Sequence, residues 1–403
     1  MSASPPDGLR ILQVSAEYPP ATGGVGDYTH QLGRALLARG YRVAVLTGQP
    51  ATSAAVVGDP ERVVLPRNDW SWRSLPSLLH VIRAWRPDIV HIQYQAGAYA
   101  MHPAINLLPR AFRQRRQRPR VVVTMHDLRV PYLLPKAGPL RCWVTRRLLV
   151  DCDAVVVTNA ADRRRLAGGG PPDPELFRTS RPIGATVIPI GSNVLPRPPA
   201  GYERHTWRAA LGICDGDIVV SFFGLASPSK GLLPLVEAFA GLPATVRLLV
   251  VGGEAPQPMD QQYMGRVHAA IEEHGLESRV HITGYCPPEV VSAHLLAADI
   301  GALPFEDGVS YRRGSLLALL AHGVPVITTR PDAPLDPPLE DGEQALLVGA
   351  GSVLELRAAI LRLLDEPDLR RRLSDHGRML HAHFTWPAIA VAHEALYSSL
   401  PVR

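Results

Sequence analysis

Short apolar runs recur along this chain, separated by longer stretches with helical spacing, and this rhythm restricts the fold more than any other feature. The first runs fall at residues 9–15, 41–47, 89–92, 121–125, 154–157 and 187–190. Runs of about four to seven mostly apolar residues suit strands buried on both faces, and strands alternating with helical segments belong to parallel sheets covered by helices. Residues 195–202, Leu-Pro-Arg-Pro-Pro-Ala-Gly-Tyr, have linker composition. After them the rhythm restarts at Ile218, with runs at 246–251, 280–283, 300–303, 326–328 and 345–348. The expectation is an α/β chain of two doubly wound domains, residues 1–196 and 203–383. Such sheets bind ligands beyond the carboxyl ends of their strands, so two of them facing one another place a site in the cleft between.

Composition agrees with a globular chain. Its 403 residues exceed one ordinary core, 46% are apolar and 20% charged. The four cysteines, Cys142, Cys152, Cys214 and Cys286, form neither a CxxC pair nor a Cys/His cluster with zinc spacing, which fits a reducing cytoplasm. No run approaches the length of a membrane span, and the N-terminus has no leader pattern. Arg110, Arg113, Arg115, Arg116, Arg118 and Arg120 crowd into eleven residues beside Leu107, Leu108, Ala111 and Phe112. That segment reads first as a solvated helix end and loop in an Arg-biased chain, and second as suited to peripheral contact with an anionic membrane face. No aromatic residues alternate with these arginines, which argues against nucleic acid.

Lys230 is one of only two lysines among 42 basic residues, the other being Lys136. A chain that writes nearly every cation as Arg, yet keeps a compact ammonium in Phe222-Phe223-Gly224-Leu225-Ala226-Ser227-Pro228-Ser229-Lys230-Gly231, marks a position where a fork-shaped guanidinium does not serve. A phosphate site is such a position. Gly224 is expected to end the strand from Ile218, and Leu232, Leu235, Val236 and Phe239 recur at helical spacing, so Lys230 falls at a strand-to-helix turn where helix amides and dipole favour an anion. A second loop, Pro304-Phe305-Glu306-Asp307-Gly308-Val309-Ser310-Tyr311-Arg312-Arg313-Gly314-Ser315, leads from a strand into a helix. Gly308, Val309 and Ser310 offer successive amides, Ser310 and Ser315 hydroxyls, Arg312 and Arg313 forks for phosphate, and Glu306 and Asp307 acceptors for sugar hydroxyls.

In the first half, Gly23, Gly24, Val25 and Gly26 precede a helix over 27–39 that begins with Asp27 and Tyr28. This is no dinucleotide motif, because the glycines follow the strand by eight residues and the third glycine position is Thr29. It reads as a glycine loop at a ligand. His126 and Asp127 follow the strand at 121–125, which puts an imidazole with a neighbouring acid at a carboxyl edge, suited to a sugar hydroxyl or to developing charge. Asp151-Cys152-Asp153 and Asp215-Gly216-Asp217 look like metal-holding DxD pairs but precede strands, and so read as turn and capping acids. No metal site is expected.

The glycine loop, His126-Asp127, Ile188-Pro189-Ile190-Gly191, Gly224 with Ser229-Lys230-Gly231, Val251-Gly252-Gly253, Val280 to Gly284 and Ala321-His322-Gly323-Val324-Pro325-Val326, in this order, resemble the GT-B fold glycosyltransferases, family 4 (group 1), over essentially the whole chain. The resemblance implies two Rossmann-like domains, with residues 384–403 crossing back to the first. It implies a nucleotide diphosphate sugar lying against the C-terminal domain at Gly224, Lys230, Gly253 and the 306–313 loop, with Tyr285 and Cys286 flanking the nucleobase. His126 contacts the transferring sugar, Gly24 approaches the phosphate, and Gly23 to Gly26 with Tyr28 face the acceptor. Three departures stand out: Leu225 replaces an expected Arg, whose charge falls to Arg312 or Arg313, and Ser310 and Ala318 stand where two glutamates are usual. Glu306 or Asp307 is left for the sugar contact.

The reading is a retaining glycosyltransferase of glycan biosynthesis that moves a sugar from a nucleotide sugar to a hydroxyl of a lipid-linked, polysaccharide or small-molecule acceptor. It uses no cofactor or metal, with His126, Asp127, Lys230 and Asp307 as catalytic residues, in the cytoplasm or on the inner membrane face. The rival reading is a noncatalytic partner subunit that binds a nucleotide or glycan.

Overall fold

The computed structural model describes residues 8–21, 23–48, 58–65, 69–112, 118–128, 138–168, 182–253 and 258–401. The chain divides into two compact units, Met1–Gly191 with Trp386–Arg403, and Ser192–Thr385. Each is a doubly wound parallel sheet with helices.

The first sheet contains β1 (Arg10–Val14), β2 (Arg42–Thr47), β3 (Glu61–Val64), β4 (Ile89–Tyr94), β5 (Arg120–Met125), β6 (Ala154–Val157) and β7 (Thr186–Val187), in the order β3-β2-β1-β4-β5-β6-β7. All pairings are parallel. Every residue of β4 is buried, and each such apolar side chain contributes roughly 1.5–3 kcal/mol. Edge strand β3 escapes a search for apolar runs because it opens Glu-Arg and is half exposed. The final helix, Trp386–Ser399, belongs to this unit. Trp386 lies so close over Gly191 that a Cβ there would stand 2.7 Å from the indole, and Tyr397 donates to or accepts from His91 Nδ1 at 2.8 Å.

The second sheet contains β8 (Ile218–Leu225), β9 (Val246–Gly253), β10 (Val280–Ile282), β11 (Ile300–Leu303), β12 (Val326–Thr329) and β13 (Leu346–Val348), in the order β10-β9-β8-β11-β12-β13. Its pairings are likewise parallel. Gly224 does not end β8. The strand runs through it to Leu225, because Gly224 takes a φ of 137° that keeps it paired with Gly252. Strand order reverses between β8 and β11, so the loops that follow these two strands diverge at the switch point, where such sheets bind ligands.

Within the arginine cluster, the described Arg110, Arg118 and Arg120 turn to different partners. Arg113, Arg115 and Arg116 lie outside the described residues. Arg118 turns inward instead, with Nη1 and Nη2 on Asp153 at 2.8 and 2.7 Å and both side chains 7% exposed. Asp153 also accepts from the amide of Val121, which fixes the start of β5. Arg120 points to the carbonyls of Tyr397 and Leu400. Arg110 remains largely exposed. Among the described residues no helix is long and apolar enough to cross a membrane.

Candidate functional site

In the second unit the loops after β8 and β11 are locked together. Pro228–Lys230 form a single 3₁₀ turn, and Gly231 follows with φ 71° before the helix Leu232–Phe239. A Cβ on Gly231 would lie 1.9 Å from the carbonyl oxygen of Pro304, so only glycine permits this approach. The Glu306 amide donates to Ser229 O at 3.1 Å. This contact brings Lys230 and Arg313 over one ring, that of fully buried Phe305: Lys230 Nζ is 5.5 Å and Arg313 Cζ 4.6 Å from its centroid. Arg313 pairs with Asp307. Burial, and then the Arg313 charge, bring the Lys230 ammonium down from its usual range to about 8, with Asp307 opposing them. Two cations against a single carboxylate make a site that gains from an arriving anion.

The helix dipole expected to assist Lys230 is already engaged. The Leu233 amide donates to the hydroxyl of buried Tyr263 at 2.9 Å, which caps the helix from within. The start of the helix Gly314–Ala321 differs, since Ser315 Oγ is buried there without a hydrogen-bond partner among the described residues. A buried hydroxyl of that kind calls for a ligand oxygen or a water. Gly308 has φ 73° and its α-carbon side faces Arg330 O, Val309 is buried and Ser310 half-buried, whereas Glu306 and Arg312 are exposed. Ala318 is fully buried.

The rim of β8, β9 and β10 is built from glycines at positive φ: Gly224, Gly252, Gly253 and Gly284. A Cβ on Gly252 would meet Gly224 O at 2.7 Å. Thr283 Oγ1 accepts from the Gly252 amide and donates to Gly284 O. Beyond this rim Tyr285 is 89% exposed, and Cys286 Sγ leans on Gly284 O at 3.7 Å. Leu225, in the place of the expected arginine, is 55% exposed.

In the first unit, Gly24 opens the helix Gly24–Leu37, three residues earlier than its spacing suggested. Gly24 is exposed, but Gly23 and Gly26 are packing glycines. A Cβ on Gly23 would sit 2.2 Å from Glu17 Oε2, and one on Gly26 about 3 Å from the backbone of Tyr18. Burial and the nearby Asp27 push the Glu17 carboxyl up, and burial does the same to Asp27. Val25 and Tyr28 are buried, which corrects the acceptor-facing role for their side chains. Tyr28 packs edge-on against His126 at 4.8 Å and against Trp386 at 5.4 Å, and its hydroxyl meets His393 Nε2 at 3.4 Å. It braces His126 from behind. His126 itself is half-buried at the end of β5, with Nε2 3.0 Å from Gln93 Oε1, and Asp127 beside it is also half-buried. Among the described residues no three His, Cys, Asp or Glu side chains cluster as metal ligands. The DxD acids are structural. Asp153 holds Arg118, and Asp217 holds Arg247 and the Cys214 amide.

Two family descriptions match the chain, a glycosyl transferase 4-like domain over residues 23–178 and glycosyl transferases group 1 over residues 217–366, together well over half of it. The chain belongs to the group 1 glycosyltransferases. This glycosyltransferase is 29% identical over 264 residues to D-inositol 3-phosphate glycosyltransferase of Corynebacterium glutamicum, which covers 63% of this chain and 59% of that protein. It is 30% identical to MMP alpha-(1->4)-mannosyltransferase of Mycolicibacterium hassiacum, over 54% of this chain and 49% of that one. The matched stretch thus spans about half the length of these relatives. Glycogen synthase of Mycobacterium tuberculosis is 27% identical over 96% of this chain and 94% of its own. Among solved structures, sucrose-phosphate synthase from Thermosynechococcus elongatus has a TM-score of 0.71 at 24% identity, covering 97% of this chain and 99% of that one. Anabaena HepE in complex with UDP scores 0.72 at 19% identity, covering 97% and 100%. These likenesses establish the GT-B fold of this glycosyltransferase.

Phe305 as a shared platform, Tyr263 as a cap, and Gln13 and Gln93 behind His126 were not visible in the sequence. Each acts on a partner at least 30 residues away, so no local spacing announces it.

Proposed function

We propose that this chain transfers a sugar, with retention of anomeric configuration, from a nucleoside diphosphate sugar to a hydroxyl acceptor. The observation that carries the reading is the Lys230–Arg313 pair over Phe305 at the switch point of the second sheet. As the glycosidic bond breaks, negative charge grows on the departing diphosphate, and fixed cations aimed at it stabilise the transition state more than the ground state. Ser315 Oγ and the amides of Gly308, Val309 and Ser310 add donors in the same loop. Tyr285, with its exposed ring, supplies a stacking face for the nucleobase beside Cys286. Glu306 and Asp307 are the acids for the sugar, and His126 is the imidazole for a sugar hydroxyl. The relatives named for inositol-phosphate and mannosyl transfer, and the fold shared with a UDP complex, support a nucleotide-sugar donor. Lys230 and Arg313 carry the diphosphate charge in this reading without a metal. The departing phosphate oxygen takes the acceptor proton, so no covalent intermediate is required.

The test is turnover against a panel of UDP-, GDP-, ADP- and dTDP-sugars with product stereochemistry read by NMR, with and without EDTA. Transfer with retained configuration, undiminished by EDTA, is expected. Buried Ala318, where family members usually carry a carboxylate, favours the second reading of a nucleotide-binding partner subunit. Donor binding without transfer or hydrolysis would select it.

A further inference from the structure

We propose that Gln13 and Gln93 form a directional relay that fixes His126 with its proton on Nε2, leaving Nδ1 as the acceptor nitrogen of the neutral ring. Both glutamines are fully buried on adjacent strands, β1 and β4, and His126 follows β5 beside them. The relay starts at the carbonyl of Thr29, which can only accept. Gln13 must therefore turn Nε2 toward it, at 3.1 Å, and its Oε1 the other way. That oxygen accepts from Gln93 Nε2 at 3.2 Å, which leaves Gln93 Oε1 facing His126 Nε2 at 3.0 Å. Flipping either amide would set two oxygens or two donors against each other in a buried site, at the cost of unpaired polar groups. An oxygen in front of Nε2 requires a proton on that nitrogen.

The helix makes room for the device. Gly33 lies inside Gly24–Leu37, where glycine is about 1 kcal/mol worse than alanine. A Cβ there would stand 2.9 Å from Gln13 Nε2 and 2.5 Å from Pro60 Cγ. Toward a sugar or acceptor hydroxyl, a neutral His126 so held accepts at Nδ1 and donates there only after taking up a proton. Gln13 and Gln93 are thus positioning residues, and this consequence rests on the reading of His126 as sugar-facing.

Long-range proton–nitrogen correlation on the full chain, labelled with ¹⁵N-histidine, reads the tautomer directly, the His126 signal being assigned by its loss in His126→Asn. Wild type is expected to show Nε2–H in the neutral ring. Gln13→Met, which does not touch His126, frees the Gln93 amide to turn and should give mixed tautomers. Outer-shell partners of metal-ligating histidines are worth about tenfold or more, and by analogy kcat should fall about tenfold while donor KM stays within about twofold. Gln93→Glu keeps an accepting oxygen before Nε2, so it should retain that tautomer and shift the pH profile upward, with some loss of stability because its second oxygen faces Gln13 Oε1. A proton on Nδ1 in the wild type, or an unaltered tautomer in Gln13→Met, overturns the proposal, and the wild-type measurement holds even where a variant fails to fold. Should His126→Ala leave transfer intact while the tautomer is as expected, the relay stands and the catalytic reading of His126 falls.

Discussion

The two units use the same sheet architecture but furnish its carboxyl edge in opposite ways. The first places neutral amides there, with Gln13 and Gln93 running to His126. The second places charge there: Lys230 and Arg313 over Phe305, partly offset by Asp307. Directional hydrogen bonds hold a group in one orientation, whereas clustered cations hold an anion with less demand on angle. The contrast fits a division in which the second unit anchors a diphosphate and the first orients hydroxyls.

The largest effect that would break this comparison is on Lys230. Lys230→Ala should lower kcat/KM by about 10²- to 10³-fold, the usual loss when one donor to developing charge is removed. Lys230→Arg should not restore it, because the broader guanidinium must share the ring already covered by Arg313. Near wild-type kcat/KM in either variant would move the anion site elsewhere. The first unit should instead show itself in acid. His393 is fully buried, and burial brings its imidazole down to about 4; His91, also fully buried, is lowered in the same direction by burial first and then by His393. Between pH 6.5 and about 4 the unfolded state therefore binds protons that the folded state refuses, so stability present above pH 6.5 drains away as pH falls. For His393 alone this amounts to roughly 2–3 kcal/mol across the window. Denaturant melts at pH 7 and pH 5 measure it, and His393→Asn should flatten the difference between them.

What could be read from the sequence follows the range of the physics involved. Runs such as 154–157 and 300–303 became strands with those bounds, because a doubly buried strand needs continuous apolar residues and nothing else. Glu61–Val64 did not announce itself, since an edge strand has one exposed side and tolerates polar residues. Lys230 stood out by composition and its glycine neighbours. Its ring partner Phe305 is 75 positions away, and only the adjacency of β8 and β11 joins them. Arg118 illustrates the converse case: read along the chain it belongs to a basic segment, yet Asp153 draws it into the interior. Gln13 and Gln93 look like misplaced polar residues in apolar strands until the order β1-β4-β5 sets them in line.

A smaller effect sharpens the charged side of the comparison. Asp307 is 57% exposed and pairs with Arg313, so Asp307→Asn releases that guanidinium without opening the core. Exposed pairs are worth about 1 kcal/mol at most, and nucleoside diphosphate should bind up to about fivefold tighter. If Asp307 instead serves the sugar, the variant loses kcat and diphosphate affinity stays level; competition assays with UDP beside steady-state kinetics separate the two.

The smallest signal tests the electrostatics of Lys230 itself. Its ammonium lies at about 8 in the folded chain, against its ordinary value of 10.5, through burial and the Arg313 charge. Between those two values the unfolded state holds the extra proton, so this residue makes stability rise with pH across that window and opposes folding below it. A bound diphosphate reverses the cause: new negative charge beside the amine favours its protonated form and raises it again. Near pH 8, where the amine is about half protonated and the diphosphate already ionised, binding should take up as much as about half a proton. Titration calorimetry in buffers of different ionisation enthalpy reads that number, and it should vanish in Lys230→Ala. In the first unit no comparable uptake is expected at this pH, because burial keeps His91 and His393 neutral there with or without ligand. Uptake that persists without Lys230 would therefore place the titrating group, and with it the anion, outside the pair on Phe305.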